Sequence, residues 1–217
     1  RDVAVTGVQT CALPIYALIR FCAALPRPGL VIATAVPTLI IVTAMGYTRQ
    51  ATALGFIMLA YVYFHGKMNW RWIACLCVAI LFHRSAIFML PIFLIAGSNR
   101  PALSLAIGGL LITGLLFTIV LQNVNDVLSL YFEGDIESSG AIPRIAIGAA
   151  AGLCFFLTRN RTVFGPRETL VRNMSIALIA MLPLYFVIPS TTVVDRIGIL
   201  LLPFQSAVLA GLTASLE

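Results

Sequence analysis

The chain has 217 residues and a net charge of +6; 60% of its residues are hydrophobic and only 10% charged, with a mean hydropathy of +1.02. Soluble domains carry roughly 25% charged residues, so the composition excludes a soluble globular domain and points to an integral membrane protein. The positive charge would suggest nucleic acid in a soluble protein, but loop arginines that orient a membrane protein account for it, and nucleic-acid binding is excluded as well.

The first stretch, "VTGVQTCALPI" at residues 5–15, is out of keeping with the apolar chain downstream of it. Thr6, Gly7, Gln9 and Thr10 break any apolar run before Pro14, and the stretch lacks the basic and apolar regions of a signal peptide. Its eleven residues resemble the in-frame translation of a common sequencing-library adapter. Residues 1–15, Cys11 and Pro14 among them, are therefore set aside as a non-native scar. Residues 16–217 then read as a single polytopic membrane domain, a fragment without its N-terminal part.

Apolar runs follow at 28–47, 51–64, 72–96, 102–121, 145–158, 173–188 and 197–214, joined by short connections without repeats or an interdomain linker. They are apolar all round rather than alternating, which predicts helices and not barrel strands. The expected fold class is all-α: a polytopic transmembrane helical bundle of about six to seven membrane segments. Cys22, Cys75, Cys77 and Cys154 lie in or beside these runs without metal-ligand spacing and read as small core residues. Gly108, Gly109 and Gly114 read as sites of close helix packing.

Lys and Arg are retained on the cytoplasmic side of a membrane. The loop "RNRTVFGPRETLVR" has Arg159, Arg161, Arg167 and Arg172 against Glu168 and is placed inside. The loop with Asp126, Glu133, Asp135 and Glu137 then lies outside, where a solvated acidic loop is the plainer reading than a general base. Counting on from there, Arg100 falls inside and Asp195 with Arg196 outside. One conflict results. If residues 72–96 cross the membrane once, Lys67 and Arg71 fall outside, against the rule. If the segment instead breaks at "FHRSA" and returns, Lys67, Arg71, Arg100, Arg20 and Arg27 are all inside. Each arm would then span roughly 16 Å, about halfway through a 30 Å hydrocarbon core. A broken helix at that depth is tolerated where it is buried in protein or lines a watery cavity. The re-entrant reading is preferred over a continuous helix that holds His83 and Arg84 at mid-membrane.

On this topology a few isolated cations face outward at membrane level: Arg49, His83 with Arg84, Arg144 and Arg196. An arginine in the hydrocarbon costs about 2.5–3.5 kcal/mol on the insertion scale, so each needs a reason. Arg49, with Gln50 beside it, stands where a helix begins near Thr48, and helix-end N–H groups with a guanidinium suit an anion. Snorkelling to lipid headgroups suits Arg49 equally well. His83, Arg84 and Ser85 are consecutive and point different ways on a helix, so they share a site only if the backbone breaks; a hydrogen-bonded core histidine is the bland alternative. Arg144 follows a small-residue turn. Arg196 follows Asp195, with which it can form a surface pair of little energetic worth. No Ser-His-Asp spacing, Gly-rich phosphate loop or metal-ligand cluster is present, and neither a metal nor a cofactor is called for.

The combination "MGYTRQATALG", "HGKMNWRW" and "AILFHRSAIFMLP", with the compatible "SSGAIPR" and "DRIGILLLP", resembles the EpsG family, which is similar to the Wzy-type O-antigen and exopolysaccharide polymerases. The resemblance covers the chain from about Tyr16 onward. It implies a glycosyltransferase of the bacterial inner (plasma) membrane that joins undecaprenyl-pyrophosphate-linked oligosaccharide repeat units at the outer face. The lipid bilayer, chain-length regulators and export proteins are its implied partners. On that footing His83 and Arg84 are the expected catalytic residues, with His83 orienting a phosphate or assisting proton transfer. Arg49, Gln50, Ser85, Arg144 and Arg196 are expected to bind the pyrophosphate or the lipid-linked sugar, since a guanidinium matches phosphate oxygens in a fixed fork. A flippase for a lipid-linked or anionic saccharide and a membrane acyltransferase are the competing classes; no inverted repeat supports the first, and the second leaves the outer arginines idle.

Overall fold

A computed structural model describes residues 2–37, 39, 48–98, 102, 106, 108–110, 113–114, 140–158, 164–187 and 191–215. The helices are α1 (Asp2–Ala23), α2 (Pro28–Ala35), α3 (Thr48–Tyr63), α4 (Trp70–Phe82), α5 (Met89–Gly97), α6 (Ala141–Thr158), α7 (Glu168–Val187) and α8 (Thr191–Ser215). No strand occurs among the described residues. Ala141–Thr158, Gly165–Phe186 and Val194–Ala214 are long and apolar enough to cross a membrane, and shorter apolar helices accompany them. The expected all-α membrane bundle is what the chain forms. Most of the run at 102–121, the end of that at 28–47 and all four acids between Asp126 and Glu137 lie outside the described residues.

Helix directions follow from paired contacts. Gly55 of α3 lies against Pro14 of α1, and further along both helices Phe21 meets Tyr61 with ring centroids 5.0 Å apart, so α1 and α3 run parallel. Arg144 and Asp195 meet near the starts of α6 and α8, while Phe155 and Gly211 near their far ends both contact Phe164. These two helices are parallel as well, and α7 returns beside both. At Gly152 a Cβ would stand 2.7 Å from the carbonyl oxygen of Ser175, so the absence of a side chain lets α6 and α7 meet backbone to backbone. Gly108 similarly leaves no room for a Cβ beside Pro91, whereas a Cβ on Gly109 or Gly114 would meet nothing within 4 Å among the described residues.

Between α4 and α5 the helix breaks where the sequence suggests. His83 is extended (φ −147°, ψ 113°), and a 3₁₀ turn spans Arg84–Phe88 before α5 begins. Pro91 gives a local cause: in a continuous helix its missing N–H and its ring would disrupt the turn before it, but in the first turn of a new helix it needs no donor. The two arms then fold back on each other. The rings of Trp72 and Phe93 stack with centroids 5.7 Å apart, and both pack on Phe64. In one straight helix these two residues would be about 31 Å apart at 1.5 Å per residue. Gly97 closes the hairpin: a Cβ there would stand 3.5 Å from the Trp72 ring and from Met68 Sδ. Segment 70–97 therefore ends at the level where it starts, the re-entrant alternative.

At that same level Arg167 joins two other helices. Its Nε donates to the Phe64 carbonyl (3.1 Å), Nη2 to that of Val62 (2.9 Å) and Nη1 to that of Ala24 (3.4 Å), and the guanidinium lies 5.3 Å from the centre of the Tyr61 ring. The last carbonyls of a helix lack intrahelical partners and carry partial negative charge, so a forked cation placed there satisfies α1 and α3 together. From the sequence Arg167 reads only as a marker of sidedness.

Candidate functional site at the Arg144 end

The opposite end of the bundle carries the cations that the loop charges place outside. Arg49 lies in the first turn of α3 and is exposed, while its neighbour Gln50 is 3% exposed. The Gln50 amide Nε2 donates to the main-chain carbonyl of Arg196 at 2.9 Å, which fixes the start of α3 to the start of α8. Gln50 is thus a tie between two helices.

Arg144 of α6 holds the other side of α8. One guanidinium nitrogen, Nη2, lies 2.9 Å from both carboxylate oxygens of Asp195, with the two side chains 23% and 10% exposed. This corrects the expected surface pair of Asp195 with Arg196. Successive helical residues point about 100° apart, and here Asp195 turns inward to α6 while Arg196 stays exposed.

The hairpin tip supplies the third component. The turn Arg84–Phe88 packs against α8 and α3. Phe82, the last residue of α4, stacks on Phe56 of α3 with centroids 5.9 Å apart. Phe56 is six residues beyond Gln50, about 9 Å along the helix axis, so the break lies below the rim. His83 is half-buried, and its Nε2 has no hydrogen-bond partner among the described residues. Arg84 is exposed and Ser85 half-buried. Because the backbone is extended at His83 and tightens into a 3₁₀ turn after it, these consecutive residues need not diverge as they would on a helix.

Arg49 and Gln50 on α3, the 83–85 turn and Arg144 on α6 thus lie on three elements that each pack against α8, which carries Arg196. Sequence reasoning missed Asp195 as the partner of Arg144, and missed Gln205, whose buried side-chain oxygen lacks a partner. The signal for Gln205 was present in "LLPFQSAV", a Gln-Ser pair inside an apolar run. Cys22 is buried in the core, but Cys77 is exposed on the outside of α4. Among the described residues no three His, Cys, Asp or Glu side chains gather within reach of one metal ion.

An all-α bundle of this hydropathy, with a returning broken helix and arginines collected at one end, defines a polytopic membrane protein. The chain belongs to the EpsG family, which it matches over residues 3–216. That membership supports a polymerase-like role in polysaccharide biosynthesis. No curated protein and no solved structure matches the chain.

Proposed function

We propose that the protein polymerises oligosaccharide repeat units carried on undecaprenyl pyrophosphate, at the outer face of the bacterial inner membrane, as a glycosyltransferase of exopolysaccharide or O-antigen synthesis. A hydroxyl of the acceptor sugar attacks the anomeric carbon of the donor. The bond from that carbon to the diphosphate oxygen breaks, and the diphosphate leaves with the electron pair. What stabilises this step is positive charge where the leaving group gathers its negative charge. The exposed guanidiniums of Arg49, Arg84 and Arg196 are the groups for that task, and Ser85 adds a hydroxyl donor. His83, whose Nε2 has no hydrogen-bond partner among the described residues, takes the proton of the attacking hydroxyl or orients a phosphate oxygen. Arg144, already held by Asp195, sets the electrostatic background and the position of α8.

One observation supports the reading: the Gln50 bond to Arg196 holds the start of α3, with its exposed Arg49, to α8, with its exposed Arg196, and the hairpin turn that carries exposed Arg84 packs against both helices. The test is complementation of a host deleted for its own gene. Wild type restores the long-chain ladder of surface polysaccharide on a gel. Arg49→Ala and Arg84→Ala, expressed at wild-type level, leave single repeat units exported without the ladder. Repeat units retained inside the cell would overturn the polymerase in favour of a flippase, and full-length but undecorated polymer would favour an acyltransferase.

A further inference from the structure

Beneath the Arg144–Asp195 pair, α6, α7 and α8 leave a narrow cavity of about 10 Å³, lined by Arg144, Gly148, Leu178, Asp195, Leu202 and Gln205. Two of these side chains carry a buried polar atom without a partner among the described residues: Nε of Arg144 and Oε1 of Gln205. Gln205 is 6% exposed, and its Oε1 is 3.7 Å from where a Cβ would stand on Gly148. That distance is ordinary van der Waals contact and places the amide against α6.

An unpaired buried acceptor is destabilising, and a low-dielectric surrounding deepens that cost. The cavity volume decides what relieves it. About 10–15 Å³ accommodates the centre of a single water, far too little for a sugar ring or a phosphate. The polar groups suit a water as well. Arg144 Nε–H donates, Gln205 Oε1 accepts, and the Asp195 carboxylate lines the same space, so two or three polar partners surround the molecule. Leu178 and Leu202 close the rest with apolar surface.

We propose that this cavity is a site for one ordered water that links Gln205 to Arg144, and that Gln205 is thereby a positioning residue for the Arg144 guanidinium at the cationic end. The water site stands on geometry alone. Its consequence for turnover rests on the polymerase reading.

Two measurements on the full chain in lipid nanodiscs test it. A density map fine enough to show waters should hold one within hydrogen-bond distance of Gln205 Oε1; a dry cavity would overturn the site. In polymerisation assays with a lipid-diphosphate-linked repeat unit, Gln205→Leu should raise KM about fivefold, equivalent to ~1 kcal/mol, with kcat little changed and melting temperature equal to wild type or higher. The same substitution should add nothing in an Arg144→Gln/Asp195→Asn background, where the guanidinium it positions is gone. An unchanged KM, or an equal rise in both backgrounds, would overturn the positioning role. A wild type that holds the water but polymerises nothing would defeat the polymerase reading and leave the water site in place.

Discussion

The side-chain amide of Gln50 donates a 2.9 Å hydrogen bond to the backbone carbonyl of Arg196, 146 residues further along the chain. This contact makes one rim of the first turns of α3 and α8 and sets the spacing between two arginines that precede or share it. Gln50→Leu keeps the volume and removes the bond, at an expected net cost of about 1 kcal/mol. Gln50→Glu should be no better, because an ionised carboxylate has no hydrogen to donate to a carbonyl. Thermal unfolding in detergent reads both, and a Glu variant as stable as wild type would remove the bond from the account.

The ion pair of Arg144 and Asp195 ties α8 on its other side. Removing one partner leaves a charge with little access to water, and for buried pairs that costs about 3–5 kcal/mol; with side chains 23% and 10% exposed, the lower end applies. Asp195→Ala and Arg144→Ala should each destabilise strongly, and the double variant by much less than their sum. A double-mutant cycle in unfolding free energy should therefore return a coupling above about 1 kcal/mol. Additive effects would show that the two residues act separately.

These two contacts also mark what the sequence can and cannot disclose. The break at His83 was legible because Lys67 and Arg71 violated the sidedness of loop cations unless the segment returned, and the hairpin contact of Trp72 with Phe93 agrees with that inference. That the chain is helical from Thr48 onward was legible from the apolar run that follows. Partner choice was not. Asp195 and Arg196 are adjacent in sequence, yet helical geometry sends them to different neighbours, and nothing local indicates that Asp195 meets a residue 51 positions earlier. Gln50 was legible as a polar residue needing a reason, while the reason, a carbonyl of another helix, depends on packing alone. Arg167 failed for the same cause: its charge predicts a side of the membrane, and its geometry makes it a cap for two helices.

Arg167 gives a prediction that separates charge from shape. Its three donors reach carbonyls of Ala24, Val62 and Phe64, and hydrogen bonds from charged groups contribute about 1.5–3 kcal/mol each before strain and entropy are counted. Lysine retains the charge but offers one compact ammonium in place of a rigid fork. Arg167→Lys should therefore lower unfolding stability by about 2 kcal/mol or more, although it preserves the basic character of its loop. If stability were unaltered by the lysine, Arg167 would be a topological marker only. Because the residue lies at the end of the bundle away from the outward arginines, the surface polysaccharide ladder should fall in proportion to folded protein and no further.

The hairpin itself can be tested by access from each side of the membrane. With the cysteines replaced, Lys67→Cys and Ser98→Cys flank the segment, and Trp72, Phe93 and Gly97 bring its two ends to one level. A membrane-impermeant thiol reagent applied outside intact cells should leave both unlabelled, and should label both after the inner face is exposed. Arg49→Cys, at the far end of α3 from Phe64, should show the opposite pattern. A single crossing of residues 70–97 would instead give Lys67→Cys and Ser98→Cys opposite labelling. That outcome would be incompatible with the Trp72–Phe93 stack and with the packing of the Arg84–Phe88 turn, as the tip of a returning hairpin, against α3 and α8.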